Sequence, residues 1–362
     1  MRSDHPLIIG AGPAGSAAAI TLARSGAAPR ILERDLATGD AICGGFVSWR
    51  TLATLETLGL GIDQLGGHPI DTLRLYVGTS KAEAPLPKFA IGISRHRLDT
   101  LLLAQALTTG AGLERGITVR EIGDNGSIRT ADNHVMTPDS LFLASGKHDI
   151  RGLARPRDEA NTLGLRILLD PAPALAKLVG SGIELHLFDG GYCGILINET
   201  GQTNLCMAVR KSRLTQAGGD PAQLLTLLGT ENPALGERLA FVNSGSTDAI
   251  SAIPYGWIAT DTRPGLFRLG DQAAVIPSLA GEGNGIALAS GIAAAKAWQQ
   301  GGAAAAPAYQ TRFARAAGKP VATAMRLWHW SERPLAAKMA VHAVRLFPHI
   351  AAHFAGLTRI AP

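Results

Sequence analysis

The apolar positions of this chain change their rhythm along its length. A short continuous apolar run, Leu7–Ile9, opens it, followed by glycines and then the small-residue stretch "PAGSAAAITLARSG". That order predicts a buried strand, a tight turn and a helix to about Ser25, stopped by Gly26. "PRILERD" predicts a second strand ending at Glu33, and "DSLFLASG" a third at mid-chain. Between about Gly164 and Tyr255 the pattern becomes that of strands. "IELHLF", "YCGILIN" and "TNLCMAVR" fit a hairpin sheet with a turn at Thr200-Gly201, and a helix follows near Pro221. The strand pattern returns at Leu266–Leu269, and a long alanine-rich helix opens after Gly281-Glu282-Gly283-Asn284-Gly285.

The tail is amphipathic. Lys338, His342, Arg345, His349 and His353 recur at spacings of 4, 3, 4 and 4, opposite Leu335, Met339, Val341, Leu346, Ile350 and Phe354. Pro348 divides the tail into two predicted helices. Two readings stay open for the cationic stripe: a solvated face on a core-packed helix, or a peripheral membrane contact through the C-terminal helices. His349 and His353 have an i,i+4 spacing without the intervening glutamate of HExxH, so no metal site is expected.

Chemistry enters at the first turn, Gly10-x-Gly12-x-x-Gly15. The first glycine permits the turn, the second admits a pyrophosphate to the backbone, and the third lets helix and strand pack closely. With Pro13 and Ala14 opening the helix, free N–H groups and the helix dipole can hold an anion. Glu33, at the end of the second strand, is placed to accept the hydroxyls of a ribose, with Arg34 beside the adenine or a phosphate. A dinucleotide is therefore expected. The second loop selects its type. Asp271, after Gly270 at a strand end, can bond a ribityl chain, and Pro277 leads into glycines that offer donors to the pyrimidine edge of a flavin.

Composition narrows the rest. The 362 residues are 46% hydrophobic and 17% charged, with 43 glycines and a formal charge of +5. Aromatics are 5% and basic residues form no run, so nucleic acid is not an expected partner. No apolar run reaches the length of a spanning helix, and the first residues lack a signal-peptide pattern. The three cysteines form no CxxC pair, so a cytoplasmic location is expected. Cys193 and Cys206 are expected chiefly to pack the sheet, although Tyr192, Cys193 and Asn204 are also candidates to line a pocket.

Together, "GAGPAG" with Glu33 and "GDQAAVIPSLAGEGNGIALASG" resemble the FAD-dependent family with the p-hydroxybenzoate hydroxylase type of fold. "GISRHRLDTLLLAQAL" resembles a third landmark, which places Arg95 against FAD. The resemblance implies a mixed α/β (α+β) chain, in which a Rossmann-like FAD-binding domain is interwoven with an antiparallel-sheet substrate domain and a C-terminal helical segment. Residues 1–163 would form the first part of the FAD-binding domain, with a substrate-side excursion at about 66–92. Residues 164–255 would form the substrate sheet, 256–304 the rest of the FAD-binding domain, and 305–362 the C-terminal helices.

Within that family, Ala274 stands where aromatic hydroxylases carry histidine, and Ser145-Gly146 where they carry Asp-Gly. "PSLAGEG" and Cys43-Gly44, with Ser48 shortly after, are similar to the geranylgeranyl reductase-like branch, although its Tyr-x-Trp-x-Phe-Pro segment is missing. The implied function is an oxidoreductase that exchanges a hydride through flavin N5 with an apolar unsaturated small molecule, lipid or polyketide-like. NAD(P)H would be a transient reductant, since no second dinucleotide loop is present. A monooxygenase acting on a phenolic or polyketide-like substrate through a C4a-hydroperoxide, and a non-catalytic prenyl-binding relative, are the alternatives. The implied cofactor contacts are Gly10, Gly12, Pro13, Ala14, Gly15, Glu33, Arg34, Cys43, Gly44, Arg95, Gly270, Asp271, Pro277, Gly281, Gly283, Asn284 and Gly285. Cys43 and Tyr192 are the candidate catalytic residues. Flavin disulfide reductases place Cys-x₄-Cys near this point, but the residue five after Cys43 is Ser48, and neither Cys193 nor Cys206 is expected beside it.

Overall fold

A computed structural model describes residues 2–3, 5–156, 161–242, 247–251 and 253–360. The early apolar runs become a parallel sheet. Strand Leu7–Ile9 lies between Arg30–Glu33 and Leu141–Leu143, and Gly112–Arg115 and Leu266–Arg268 form the edges. Both faces of this sheet are covered, which is why its strands are continuously apolar rather than alternating. Helices Pro13–Arg24, Arg95–Thr108 and Gly283–Gly301 share a core on one face, and a four-stranded sheet that includes Val119–Ile122 and Ile128–Thr130 closes the other. The first and third helices cross almost backbone to backbone. A Cβ at Gly291 would stand 2.4 Å from the Ala14 carbonyl oxygen, so the small residues of both segments are a packing requirement.

A second sheet of eight strands runs in the order Asp248–Ser251, Thr162–Leu169, Thr203–Arg210, Gly191–Ile197, Gly182–Phe188, His68–Val77, Ser80–Gly92 and Phe46–Val47. Its pairings are antiparallel except that of His68–Val77 with Gly182–Phe188. One face is covered by helices Pro173–Val179, Pro221–Glu231 and Pro233–Leu239. Helices Ala306–Ser331 and Pro334–Leu346 pack on the other. The break at Pro348 precedes helix His349–Leu357. Among the described residues no helix is long and apolar enough to cross a membrane.

The tail does not follow the pattern expected of it. Ala337, Val341 and Val344 face the core, whereas Leu335, Met339 and Leu346 are exposed. The strand beneath presents Ala82 and Ala84, and a close approach to such a surface selects the small side chains of the helix.

One buried polar cluster ties helix Pro233–Leu239 to the large sheet. Arg238 makes two bonds of 2.9 Å to Glu184, His186 Nε2 lies 3.1 Å from the same carboxylate, and the Tyr76 ring stacks on His186 at 4.5 Å. Although burial opposes it, bonds from His186 and Arg238 hold the Glu184 carboxyl at about 2. Burial pushes the His186 imidazole below its ordinary value, and its Nδ1 has no partner. Both depressed values act in the same direction. The unfolded chain takes up protons on histidine below about 6.5 and on glutamate below about 4.3, whereas the fold resists both. Stability is therefore expected to fall as pH drops from about 6.5 toward 2, by a few kcal/mol in all. In Glu184→Gln this acid dependence should shrink; denaturant titrations across the range, with an unchanged slope against pH, would refute the assignment.

Candidate active site

The first glycine loop is dictated by close approaches. Gly10 has φ of +100°, and a Cβ there would stand 2.5 Å from the Ala144 carbonyl oxygen. A Cβ on Gly15 would lie 2.0 Å from the Gly10 carbonyl oxygen. Gly12 differs, because its added Cβ would meet only Arg95 Nη2, at 3.6 Å. No side chain caps the helix begun by Pro13 and Ala14, and its first turn holds no acid, so its free N–H groups are left to the cleft. Glu33 accepts from the Ala11 N–H at 2.7 Å and the Asp35 N–H at 3.0 Å, which places its carboxylate beside the loop. Arg34 is exposed, with Asp35 at 3.4 Å.

Arg95 is where the predicted elements meet. It makes a two-pronged pair with Asp99, at 2.8 and 2.7 Å, and although burial opposes its charge, the Asp99 and Asp271 carboxylates keep it protonated. Its helix is capped by Ser94, whose N–H and hydroxyl both bond Glu199 from the tip of a substrate-sheet hairpin.

The segment that carries Cys43 is pinned carbonyl by carbonyl. Arg166 bonds Asp40 and the Ala41 carbonyl, Lys147 bonds the Ile42 carbonyl at 2.7 Å, and Asn204 bonds the Cys43 carbonyl at 2.9 Å. Gly44 faces open space. All three cysteines are free. Cys206 shares a strand face with Asn204, which bonds the Cys43 carbonyl, and is not joined to Cys43. Cys193 points the other way, into the core with Ile195 and Leu205. It alternates with Tyr192 along one strand, so the two cannot line the same pocket. With its thiol bonded, among the described residues, only by the Gly45 N–H at 3.5 Å, Cys43→Ala is expected to leave FAD bound and to change turnover less than about tenfold. Visible spectra and steady-state rates of the variant check this.

The second loop is braced from behind. Gly270 has φ of +56° and donates its N–H to Ser290, while the Gln272 amide bonds the Gly146 and His148 carbonyls. Arg155 joins Asp149 to the Asp271 carbonyl. From Pro277 the chain runs to Gly281, φ +61°, packed against Phe46. Helix Gly283–Gly301 then begins without a side-chain cap. Glu282, at that terminus, bonds Arg359 at 2.9 Å and, at 3.3 Å, accepts from the N–H of Ile360. Gly285 makes room for it, since a Cβ there would lie 2.4 Å from its Oε1. Arg359 also bonds the Ala280 carbonyl at 2.6 Å and lies over the rings of Trp49 and Phe46. Asn284 is buried and Gly283 faces open space.

Ahead of this loop lies a chain of hydroxyls. Tyr192 donates to Ser278 Oγ at 2.7 Å, and the Tyr255 hydroxyl lies 2.6 Å from the same atom. Trp328 packs edge-on against Tyr192, and Ala208, Leu187 and Leu279 complete an apolar surround. Burial pushes both phenols up, so they stay protonated at neutral pH. Ser278 itself is exposed. Of these residues the sequence points to Tyr192; Ser278 lies within "PSLAGEG" without a role of its own there, and Tyr255, Trp328 and Arg359 carry no motif.

These features fit an extended anionic dinucleotide. Two uncapped helix termini, the open faces of Gly12, Gly44 and Gly283, and the half-buried Arg95 guanidinium supply the donors and positive charge such a ligand needs. The fold is that of FAD-dependent proteins of the p-hydroxybenzoate hydroxylase type. Residues 5–137 match the FAD binding domain family. The chain is 25% identical to a menaquinone reductase of Mycolicibacterium smegmatis over 317 residues, 82% of this chain and 76% of the relative. It also superposes on two solved structures. One is a probable FAD-dependent monooxygenase from Pseudomonas aeruginosa, with TM-score 0.74 and 17% identity over 94% of this chain and 100% of the other. The other is a flavoprotein/dehydrogenase from Cytophaga hutchinsonii, with TM-score 0.77 and 16% identity over 99% and 97%.

Proposed function

We propose that the enzyme is a reductase of an apolar unsaturated small molecule of lipid type, with NAD(P)H as a transient electron donor. The observation that carries this reading is the Tyr192–Ser278–Tyr255 hydroxyl chain, set in an apolar surround immediately before the glycine loop. FAD, when bound, supplies hydride-level two-electron chemistry. The chain's own residues supply the rest. Gly12, the first turn after Pro13 and Arg95 hold the phosphates, and Glu33 holds the ribose. Asp271 orients the sugar chain, and the N–H groups of Gly283, Asn284 and Gly285 favour negative charge at the flavin pyrimidine edge. Ser278 Oγ delivers a proton at the cleft and is resupplied by the two phenols. Leu187, Ala208, Leu279 and Trp328 exclude water. The likeness to a menaquinone reductase supports an apolar, reducible substrate.

A monooxygenase is the second reading, favoured by the superposition on the Pseudomonas structure. Anaerobic mixing separates the two. Protein reduced by NADH or NADPH should regain its oxidised flavin spectrum on addition of a short-chain prenyl quinone. Failure with quinones and prenyl alkenes, together with oxygen-dependent hydroxylation of phenols, would establish the second reading.

A further inference from the structure

Helix Pro334–Leu346 has two apolar faces. The inner one, Ala337, Val341 and Val344, belongs to the same packed cluster as Tyr192, Trp328 and Leu279. On the outer one, Leu335 is 79%, Met339 71% and Leu346 58% exposed, and Phe347, just beyond, is 53% exposed. At about 100° per residue the first three fall within about 40° of one another. Trp330, at the end of the preceding helix, is 52% exposed. A stripe of this size, continued across neighbouring helices, exceeds the scattered apolar residues of an ordinary surface.

Its surroundings are cationic. Lys338 and Arg345 lie together along one side of the stripe, with His342 between them and Leu335, and Arg333 precedes it. No aspartate or glutamate occurs from Arg333 to Ile360. The nearest carboxylate in sequence, Glu332, is engaged by Arg210 through two bonds of 2.7 Å. Beside the stripe a groove of about 550 Å³ is lined by Ser80, Lys81, Lys338, Met339, His342 and Phe347.

We infer that this outer face docks the enzyme on an anionic lipid bilayer, with Leu335, Met339, Leu346 and Phe347 entering the interface and Lys338 and Arg345 pairing with anionic headgroups. Exposed aliphatic and aromatic side chains bordered by cations are the composition of an interfacial helix. A second copy of this chain would bring like charges together across the contact, whereas an anionic surface neutralises them. The docked helix would be the wall between the bilayer and the hydroxyl chain of the active site, about 10 Å thick. This inference goes beyond the reaction proposed above, and its test requires no turnover, so either can fail without the other.

The test is co-sedimentation of the FAD-loaded full-length protein with vesicles of phosphatidylcholine, with and without phosphatidylglycerol. Binding is expected only with phosphatidylglycerol and should be lost at high salt. Lys338→Gln with Arg345→Gln should weaken it by at least tenfold, and Leu335→Ser with Met339→Ser and Leu346→Ser should do the same. Both variants should keep their melting temperature and FAD, because the altered side chains are exposed. Absence of binding to anionic vesicles, or undiminished binding by the serine variant, overturns the inference. So does a dimer in sedimentation velocity that the serine variant dissolves, which would assign the stripe to a second copy.

Discussion

Arg359→Ala is expected to destabilise the protein by about 3–5 kcal/mol and to weaken FAD binding at least tenfold. The side chain is almost fully buried, and so is Glu282, its partner at 2.9 Å. Removing the guanidinium also deletes the bond to the Ala280 carbonyl and the contacts with Trp49 and Phe46. The carboxylate left behind keeps only the weak bonds from Ser48 and the Ile360 N–H, at 3.4 and 3.3 Å. It lies over Gly285 at the mouth of helix Gly283–Gly301, so an unbalanced negative charge there would oppose any anionic group bound at that terminus. The pH dependence carries the signature. Burial already pushes the Glu282 carboxyl up, with Arg359 opposing. Without Arg359 it rises further, and a folded value above the unfolded one contributes stability at low pH that is lost as pH rises through it. The deficit of Arg359→Ala should therefore be smaller at pH 5 than at pH 8. Arg359→Met combined with Glu282→Gln should recover much of the loss, since no buried charge then remains unpaired. Thermal melts and FAD titrations across pH measure all three. A single variant within about 1 kcal/mol of the parent would show that the pair is not holding the loop.

Why Arg359 was invisible in the sequence shows what periodicity and motifs can reach. The glycine loop was legible because its spacing encodes two backbone contacts, Gly10 on Ala144 and Gly15 on Gly10, which any side chain would break. The parallel strands were legible because burial on both faces leaves continuous apolar runs. A lone arginine after the last helix carries no such pattern, since its partner lies 77 positions away. The same holds for Ser278, which acquires meaning only when register brings Tyr192 opposite Ala208 and turns its hydroxyl toward the loop. The tail shows a different limit. Amphipathicity identified the helix Pro334–Leu346, but two of its faces are apolar, and hydrophobicity alone selected the larger side chains for the core. Fit against Ala82 and Ala84 selected the smaller ones.

Ser278→Ala is expected to lower the rate of substrate reduction by roughly two to three orders of magnitude while leaving FAD affinity within about threefold. Reduction of a double bond or quinone requires a proton as well as a hydride, and Ser278 is the one residue of the three that is exposed. Tyr192→Phe or Tyr255→Phe leaves the other phenol to resupply it, so each alone should cost no more than about threefold. The two together should approach Ser278→Ala, because the serine is the shared atom of both bonds, at 2.7 and 2.6 Å. Non-additivity of this kind distinguishes a relay from two separate packing contacts. Burial holds both phenols well above neutrality, so neither should impose a loss of rate between pH 6 and 9. A solvent deuterium effect on anaerobic single turnover should be present in the parent and altered in the serine variant. Should Ser278→Ala retain full reductive turnover with FAD bound, the proton reaches the substrate by another route, and the hydroxyl chain is a brace that holds the glycine loop to the substrate sheet.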